Sequence, residues 1–127
     1  MLVKVVDASA VGAVIFGEPE GPNVVRQLAG NRLLAPELIF FELASICVKK
    51  LRRYPEYRRA ILDAFTMLKR LAMETVEVDY PDVVLVAERY GLSAYDASYL
   101  WLARRLGAEL VTLDGKLGKI WHGNGGE

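Results

Sequence analysis

Two short apolar runs at opposite ends of the chain, each closed by an aspartate, constrain the fold more than any other feature. Leu2-Val3-Lys4-Val5-Val6 stops at Asp7, and the run from Glu109 to Leu113 stops at Asp114, which the turn-former Gly115 follows. Runs of this length and composition fill strands buried on both faces. The segments between them carry helical spacing, and strands separated by helices predict a parallel α/β sheet covered on both sides.

The intervening elements can be read in order. Ser9 is placed to cap a helix from Ala10 to Phe16, before the breakers Gly17, Pro19, Gly21 and Pro22. A helix over about Asn23 to Ala29 leads to a short strand from Arg32 to Ala35, and Pro36 suits the first position of a helix reaching about Arg53. Arg58 to Ala72 reads as one amphipathic helix, Glu74 to Val78 as a strand and Tyr80 to Arg89 as a helix. Ser93 then caps a helix whose Ala97, Leu100, Trp101 and Leu106 recur at helical spacing until Gly107 stops it. Lys119 to His122 is the only material left for a last edge strand, and residues 122–127 read as a flexible tail. With 127 residues the whole chain, 1–127, is expected to form a single domain.

Four acids stand where stability alone does not ask for them. Asp7 and Asp114 lie at the carboxyl ends of strands, which is where ligands bind in open parallel sheets. Asp96 opens the helix capped by Ser93; Ser93-Ala94-Tyr95-Asp96 also fits a capping box. Glu42 sits within Leu38 to Val48, a run apolar nearly all round, so most of that helix should be buried and Glu42 should pair, protonate or bind a metal. A salt bridge to an arginine from another helix is the structural alternative for Glu42. Converging on one rim, these carboxylates would repel one another unless a cation neutralised them. The candidate ligands are hard oxygens, and His122 lies apart in the glycine-rich tail, so Mg²⁺ or Mn²⁺ is favoured over Zn²⁺. Such ions keep sites open for phosphate oxygens and an attacking water.

Composition bounds the remaining classes. A formal net charge of zero gives no global basic signature, so any nucleic-acid contact must be local. Lys49, Lys50, Arg52, Arg53, Arg58 and Arg59 around Tyr54-Pro55 form the one basic run, either a solvated helix end or a phosphate grip. Tyr95 and Trp101 can stack on bases or pack on a helix face. The single Cys47 forms no intramolecular disulfide and belongs to a core, which suits a reducing cytoplasm. Asp7 interrupts the apolar N-terminus and argues against a signal peptide, and no run is long enough for a membrane span. A P-loop is absent, and the lone acid at Asp7 disfavours a phosphoacceptor receiver domain, which needs an acidic pair there.

VVDASA at the first strand, APELIFFELASI in the third helix, GLSAYDASYLWLA and LVTLDGKL occur in that order along the chain. Together they resemble the PIN domain, in particular the VapC-type toxins of toxin-antitoxin pairs, over essentially the whole length. The resemblance implies a three-layer α/β/α fold with a short, mostly parallel central sheet, and a metal-dependent ribonuclease acting on RNA. It also implies a homodimer and inhibition by a cognate antitoxin. The family's acidic quartet carries over to Asp7, Glu42, Asp96 and Asp114, with Thr112 and Ser9 as supporting residues on the same rim. A PIN-fold module that binds RNA or serves as a scaffold without cleaving it is the alternative.

Overall fold

The computed structural model describes residues 2–123. Strand β1 (Val3–Val6) is followed by helices α1 (Ala8–Ile15) and α2 (Gly21–Leu28), and β2 (Arg32–Pro36) by α3 (Ile39–Arg53) and α4 (Arg58–Thr66). After β3 (Met73–Val76) come α5 (Tyr80–Tyr90) and α6 (Ala94–Leu106), then β4 (Glu109–Val111) and α7 (Gly115–Gly123). The strands lie in the order β3-β2-β1-β4, and every neighbouring pair is parallel. The chain thus builds outward from β1 through β2 to β3, then crosses back to place β4 on the other side of β1. That return makes the β1/β4 boundary a topological switch point, where the connections leave the sheet on opposite faces and open a crevice at the strands' carboxyl ends.

Helices cover both faces. α1 packs on α2 and α3, and α3 on α4; α5 packs on α6, which lies across β1, β2 and β4. The central strand supplies Val5 and Val6, both fully buried, and each such side chain contributes about 1.5–3 kcal/mol by leaving water. They join one apolar cluster with Val11, Ile39, Leu43, Leu100, Leu110 and Leu117. Close approach of α1 and α2 depends on Gly21, where a Cβ would stand 2.8 Å from the Ala13 carbonyl oxygen. α6 ends at Gly107, whose φ of 60° is the left-handed conformation glycine adopts most readily.

Several sequence-based expectations change. α1 begins at Ala8, and its N-cap is Asp7, not Ser9: the Asp7 carboxylate accepts from Ala10 N at 3.0 Å. Pro36 closes β2, paired with Val76, and α3 begins at Ile39. The α3 apolar run is not buried all round. Only Ile39, Leu43 and Cys47 are buried, one stripe at four-residue spacing, whereas Phe41 is 85% exposed. A helix lying against one layer needs a single apolar face, and an unbroken run hides which face that is. The amphipathic segment after Arg58 divides into α4 and a tighter 3-10 turn over Met67–Arg70. The proposed edge strand Lys119 to His122 is helical: Leu117, Ile120 and Trp121 repeat at helical spacing and pack on the core. His122 and Gly123 therefore belong to α7, and the rest of the expected tail, 124–127, lies outside the described residues.

Candidate metal centre

Asp7, Glu42, Asp96 and Asp114 line one cleft of about 260 Å³, together with Ser9, Ser45, Ile46, Lys49 and Tyr99. Each acid arrives by a different local device. Asp7 leaves β1 at the switch point and caps α1; Asp96 stands in the first turn of α6; Glu42 projects from α3. Asp114 stands three residues beyond β4, which ends at Val111 and not at Leu113, and caps α7 by accepting from Leu117 N at 2.8 Å.

A seam of two hydroxyls joins the ends of β1 and β4. Ser9 Oγ donates to Asp7 Oδ1 at 2.7 Å, and Thr112 Oγ1 donates to Asp7 Oδ2. Each hydroxyl also accepts from the backbone: Leu113 N donates to Ser9 Oγ at 2.8 Å and Asp114 N to Thr112 Oγ1 at 3.0 Å. Each hydroxyl therefore makes one bond as donor and one as acceptor. The 3.3 Å contact between Ser9 and Thr112 then has no proton left to share while Asp7 is ionised. Asp7 is held on both oxygens: Oδ1 accepts from Ser9 and from Ala10 N, and Oδ2 accepts from Thr112 alone.

Glu42 finds a phenol where an arginine had been the structural alternative. Tyr99 Oη donates to Glu42 Oε1 at 2.5 Å. Tyr99 is 1% exposed, and its pKa is pushed far above the ordinary phenol range, first by burial and then by the bond to Glu42, so it remains a donor. Asp96 makes half of the capping box: its backbone N donates to Ser93 Oγ at 3.1 Å. Among the described residues no hydrogen bond engages its carboxylate, which leaves both oxygens open to the cleft.

The acids feel one another. Burial raises the pKa of Asp7 most, opposed by donation from Thr112, Ser9 and Ala10 and reinforced by Asp114. Burial also leads for Glu42, where Tyr99 opposes it and Asp96 and Asp7 add to it. Asp96 is raised by burial and by Asp114 and Asp7, with Lys116 as the offsetting cation. Like charges brought together in a partly dry cleft produce this pattern.

The donor set fits a hard divalent ion. All four groups are carboxylates, and hydrogen bonds leave Glu42 Oε2, Asp114 Oδ2 and both Asp96 oxygens free among the described residues. No three His, Cys, Asp or Glu side chains among those residues form a ready-made ligand cage.

Tyr99 and Lys116 were not singled out from sequence. Tyr99 lies three residues after Asp96, a spacing that puts both on one helix face, but its bond is to Glu42 on a distant helix, which no local spacing shows. Tyr95 is exposed, while Trp101 is half-buried beneath Arg105, with its indole N donating to Asp82 at 3.4 Å. No described helix is long and apolar enough to cross a membrane.

Residues 4–121 match the family model described as PIN domain. Ribonuclease VapC3 of Pyrobaculum aerophilum is 29% identical over 118 residues, which cover 89% of this chain and 90% of that protein. Ribonuclease VapC9 of Mycobacterium tuberculosis is 37% identical over 121 residues, covering 89% of this chain and 87% of that one. Among solved structures, PAE2754 from Pyrobaculum aerophilum has a TM-score of 0.65 and 25% identity over 91% of this chain and 82% of its own. Mycobacterium tuberculosis VapC20, described as a sarcin-ricin loop cleaving toxin, has a TM-score of 0.65 at 17% identity, covering 92% and 94%, a likeness of fold alone. The family model spans nearly the whole chain, and a relative 37% identical aligns over 89% of it: the chain belongs to the PIN domain family.

Proposed function

We propose that this protein is a metal-dependent endoribonuclease, the toxin of a toxin-antitoxin pair, that hydrolyses RNA phosphodiester bonds with water as the nucleophile. One observation carries the reading: four carboxylates from four separate elements converge on a single cleft at the sheet's switch point. The relatives named as ribonucleases support it. Asp7, Asp96 and Asp114 would hold Mg²⁺ or Mn²⁺ directly or through water, and Glu42 would help hold the ion or orient the nucleophile. When bound, the ion neutralises phosphate charge and lowers the pKa of a water.

The chain's own groups do the rest. Ser9 and Thr112 fix the orientation of the Asp7 carboxylate before any ion binds. Tyr99 holds Oε1 of Glu42, and Oε2 is left to orient the attacking water and take its proton. Burial chiefly, then the neighbouring Asp96 and Asp7, raise the Glu42 pKa above the ordinary carboxylate value, with the Tyr99 bond opposing them. No side-chain nucleophile is required.

Assembly follows the same reading. Phe41, Tyr80, Val84, Leu85 and Tyr95 are exposed apolar side chains on α3, α5 and α6, and Tyr80 and Tyr95 also line a mostly apolar hollow of about 350 Å³ with Leu38 and Val76. A second copy would cover them in a homodimer, and a cognate antitoxin would block the cleft. The hollow is larger than the acid cleft, but no quartet of acids faces it, so the chemistry belongs to the cleft.

The test is RNA cleavage with Mg²⁺ or Mn²⁺ against a chelator control, with Asp7→Asn and Asp96→Asn. Both variants are expected to fold, to lose metal binding and to lose cleavage. Retained metal-dependent cleavage in both refutes the assignment, and RNA binding without any cleavage by the unaltered protein favours the adaptor alternative.

A further inference from the structure

The acid cleft explains where a scissile phosphate would sit and leaves unexplained the basic, aromatic end of the helix that forms one of its walls. Glu42, Ser45, Ile46 and Lys49 of α3 all line the cleft, at the spacing of one helix face. Arg53 continues that face, because eleven residues from Glu42 bring the helix round to within about 20° of the same direction. At about 1.5 Å per residue, Lys49 stands roughly 10 Å and Arg53 roughly 16 Å along the axis from Glu42.

The charges on this face are not committed to acids of the protein. Lys50 pairs with Glu18 at 2.6 Å, and Arg59 lies 3.6 Å from Asp63. Among the described residues Lys49, Arg52, Arg53 and Arg58 have no acid within salt-bridge distance. Lys49 lines the cleft, yet the cation that offsets Asp96 is Lys116. The α3 face then ends on rings. The Arg53 guanidinium lies 5.5 Å from the centre of the Tyr54 ring and donates from Nε to Tyr54 Oη at 3.0 Å. Tyr57 stands beside Tyr54 with ring centres 6.5 Å apart, and both rings are exposed.

A solvated helix end accounts for part of this, since cations are favourable in the last turn, where Lys50, Arg52 and Arg53 lie. It does not account for Lys49, which precedes that turn and lines the cleft, or for two exposed tyrosines. A line of uncommitted cations ending in accessible rings is the arrangement that holds single-stranded nucleic acid, with backbone on charge and bases on aromatic faces.

Resting on the ribonuclease reading, we propose that α3 guides a single-stranded RNA segment out of the acid cleft. Lys49 grips a phosphate flanking the scissile one, and Arg53, Tyr54 and Tyr57 form the platform on which a further base stacks.

The test measures binding of a twelve-nucleotide single-stranded RNA by fluorescence anisotropy across a salt series, with every protein carrying Asp96→Asn so that cleavage does not intervene. Adding Lys49→Gln is expected to weaken binding about ten-fold and flatten the salt slope by about 0.7, the value for one single-strand phosphate contact. Lys49→Arg is expected to restore both. Tyr54→Ala is expected to weaken binding about ten-fold with the slope unchanged, as for one lost stacking contact. Arg32→Gln, at the opposite end of the sheet, is the charge-matched control and should leave the slope as it was. Circular dichroism confirms folding of these surface variants. If Lys49→Gln and Tyr54→Ala bind like their parent while the unaltered protein cleaves RNA, the track is refuted and the ribonuclease reading stands. If the unaltered protein fails to cleave but binding still depends on Lys49 and Tyr54, the track stands and the catalytic reading falls. If it neither binds nor cleaves RNA, both fall.

Discussion

Replacing Glu42 by glutamine should stabilise the metal-free protein and remove most of the stability gained from metal. Gln keeps an amide oxygen to accept from Tyr99 Oη and deletes only the charge. Burial chiefly, then Asp96 and Asp7, raise the Glu42 pKa above its ordinary 4.5. Between 4.5 and that raised value the folded state binds more protons than the unfolded one, so stability falls as pH rises through the window and stays lower above it. Glu42 is half-exposed and screened by salt, so the metal-free gain at pH 7 is expected to stay below about 1 kcal/mol. Unfolding entropy near 2.1 cal/mol/K per residue gives about 270 cal/mol/K for 127 residues, so 1 kcal/mol moves the Tm by about 4 °C. Metal at a hundred times its Kd adds about 2.7 kcal/mol, or about 10 °C, to a protein whose site is intact. Thermal melts of Glu42→Gln and the unaltered protein, from pH 4 to 8 with chelator or Mn²⁺, separate the terms. With chelator the variant is expected to melt higher at pH 7 and to converge with its parent near pH 4; with Mn²⁺ the order is expected to reverse. A variant that melts lower at every pH with chelator, or gains as much from Mn²⁺ as its parent, refutes the argument that these acids repel one another across a cation site.

Three further substitutions probe the frame around the site. Tyr99→Phe removes the hydrogen bond found on Glu42, which had lowered its pKa, so the acid limb of a cleavage pH profile should move to higher pH; the lost charge-assisted bond is worth about 1.5–3 kcal/mol at most, read by urea unfolding. Thr112→Val keeps the shape but deprives Asp7 Oδ2 of its donor and Asp114 N of its acceptor, and should lower stability by about 1–3 kcal/mol and weaken Mn²⁺ binding in a calorimetric titration. Gly21→Ala places a Cβ 2.8 Å from the Ala13 carbonyl and should lower stability by about 1–3 kcal/mol while leaving the Mn²⁺ affinity of the folded protein unchanged.

What was legible in the sequence was local. Asp7 after a buried strand, Asp96 three residues past Ser93 and Asp114 before Gly115 are all marked by their immediate neighbours, and strand ends and helix caps are short-range signals. Tyr99, 57 residues from Glu42, was not legible, and Thr112, which the family resemblance places on the rim, could not be paired with Asp7, 105 residues away, by any local pattern. α7 was misread for another reason. Its last residues, taken alone, look like a short apolar strand, and only with Leu117 included does the helical spacing of Leu117, Ile120 and Trp121 show. Nor does any local pattern say that β4 pairs with β1 and not with β3, although that choice brings Asp7 and Asp114 to one crevice.

On the proposed reading, the arrangement that would hold an ion has to survive before the ion arrives, and the hydroxyl seam provides for that. Three of the four acids have raised pKa values, so ionisation near neutral pH works against the fold in this corner. The opposing restraint is not salt bridging: among the described residues no lysine or arginine pairs with these acids, and Lys116 acts only on Asp96 and only at longer range. It consists of neutral donors: Ser9 and Thr112 on Asp7, Tyr99 on Glu42, and backbone amides on Asp7 and Asp114. Neutral donors hold a carboxylate in place without cancelling its charge. A lysine or arginine in the same positions would stabilise the protein more and compete with a divalent ion for the oxygens. Holding the acids by hydroxyls, a phenol and amides therefore keeps the cleft both ordered and negative, the two properties a cation site needs before the cation arrives.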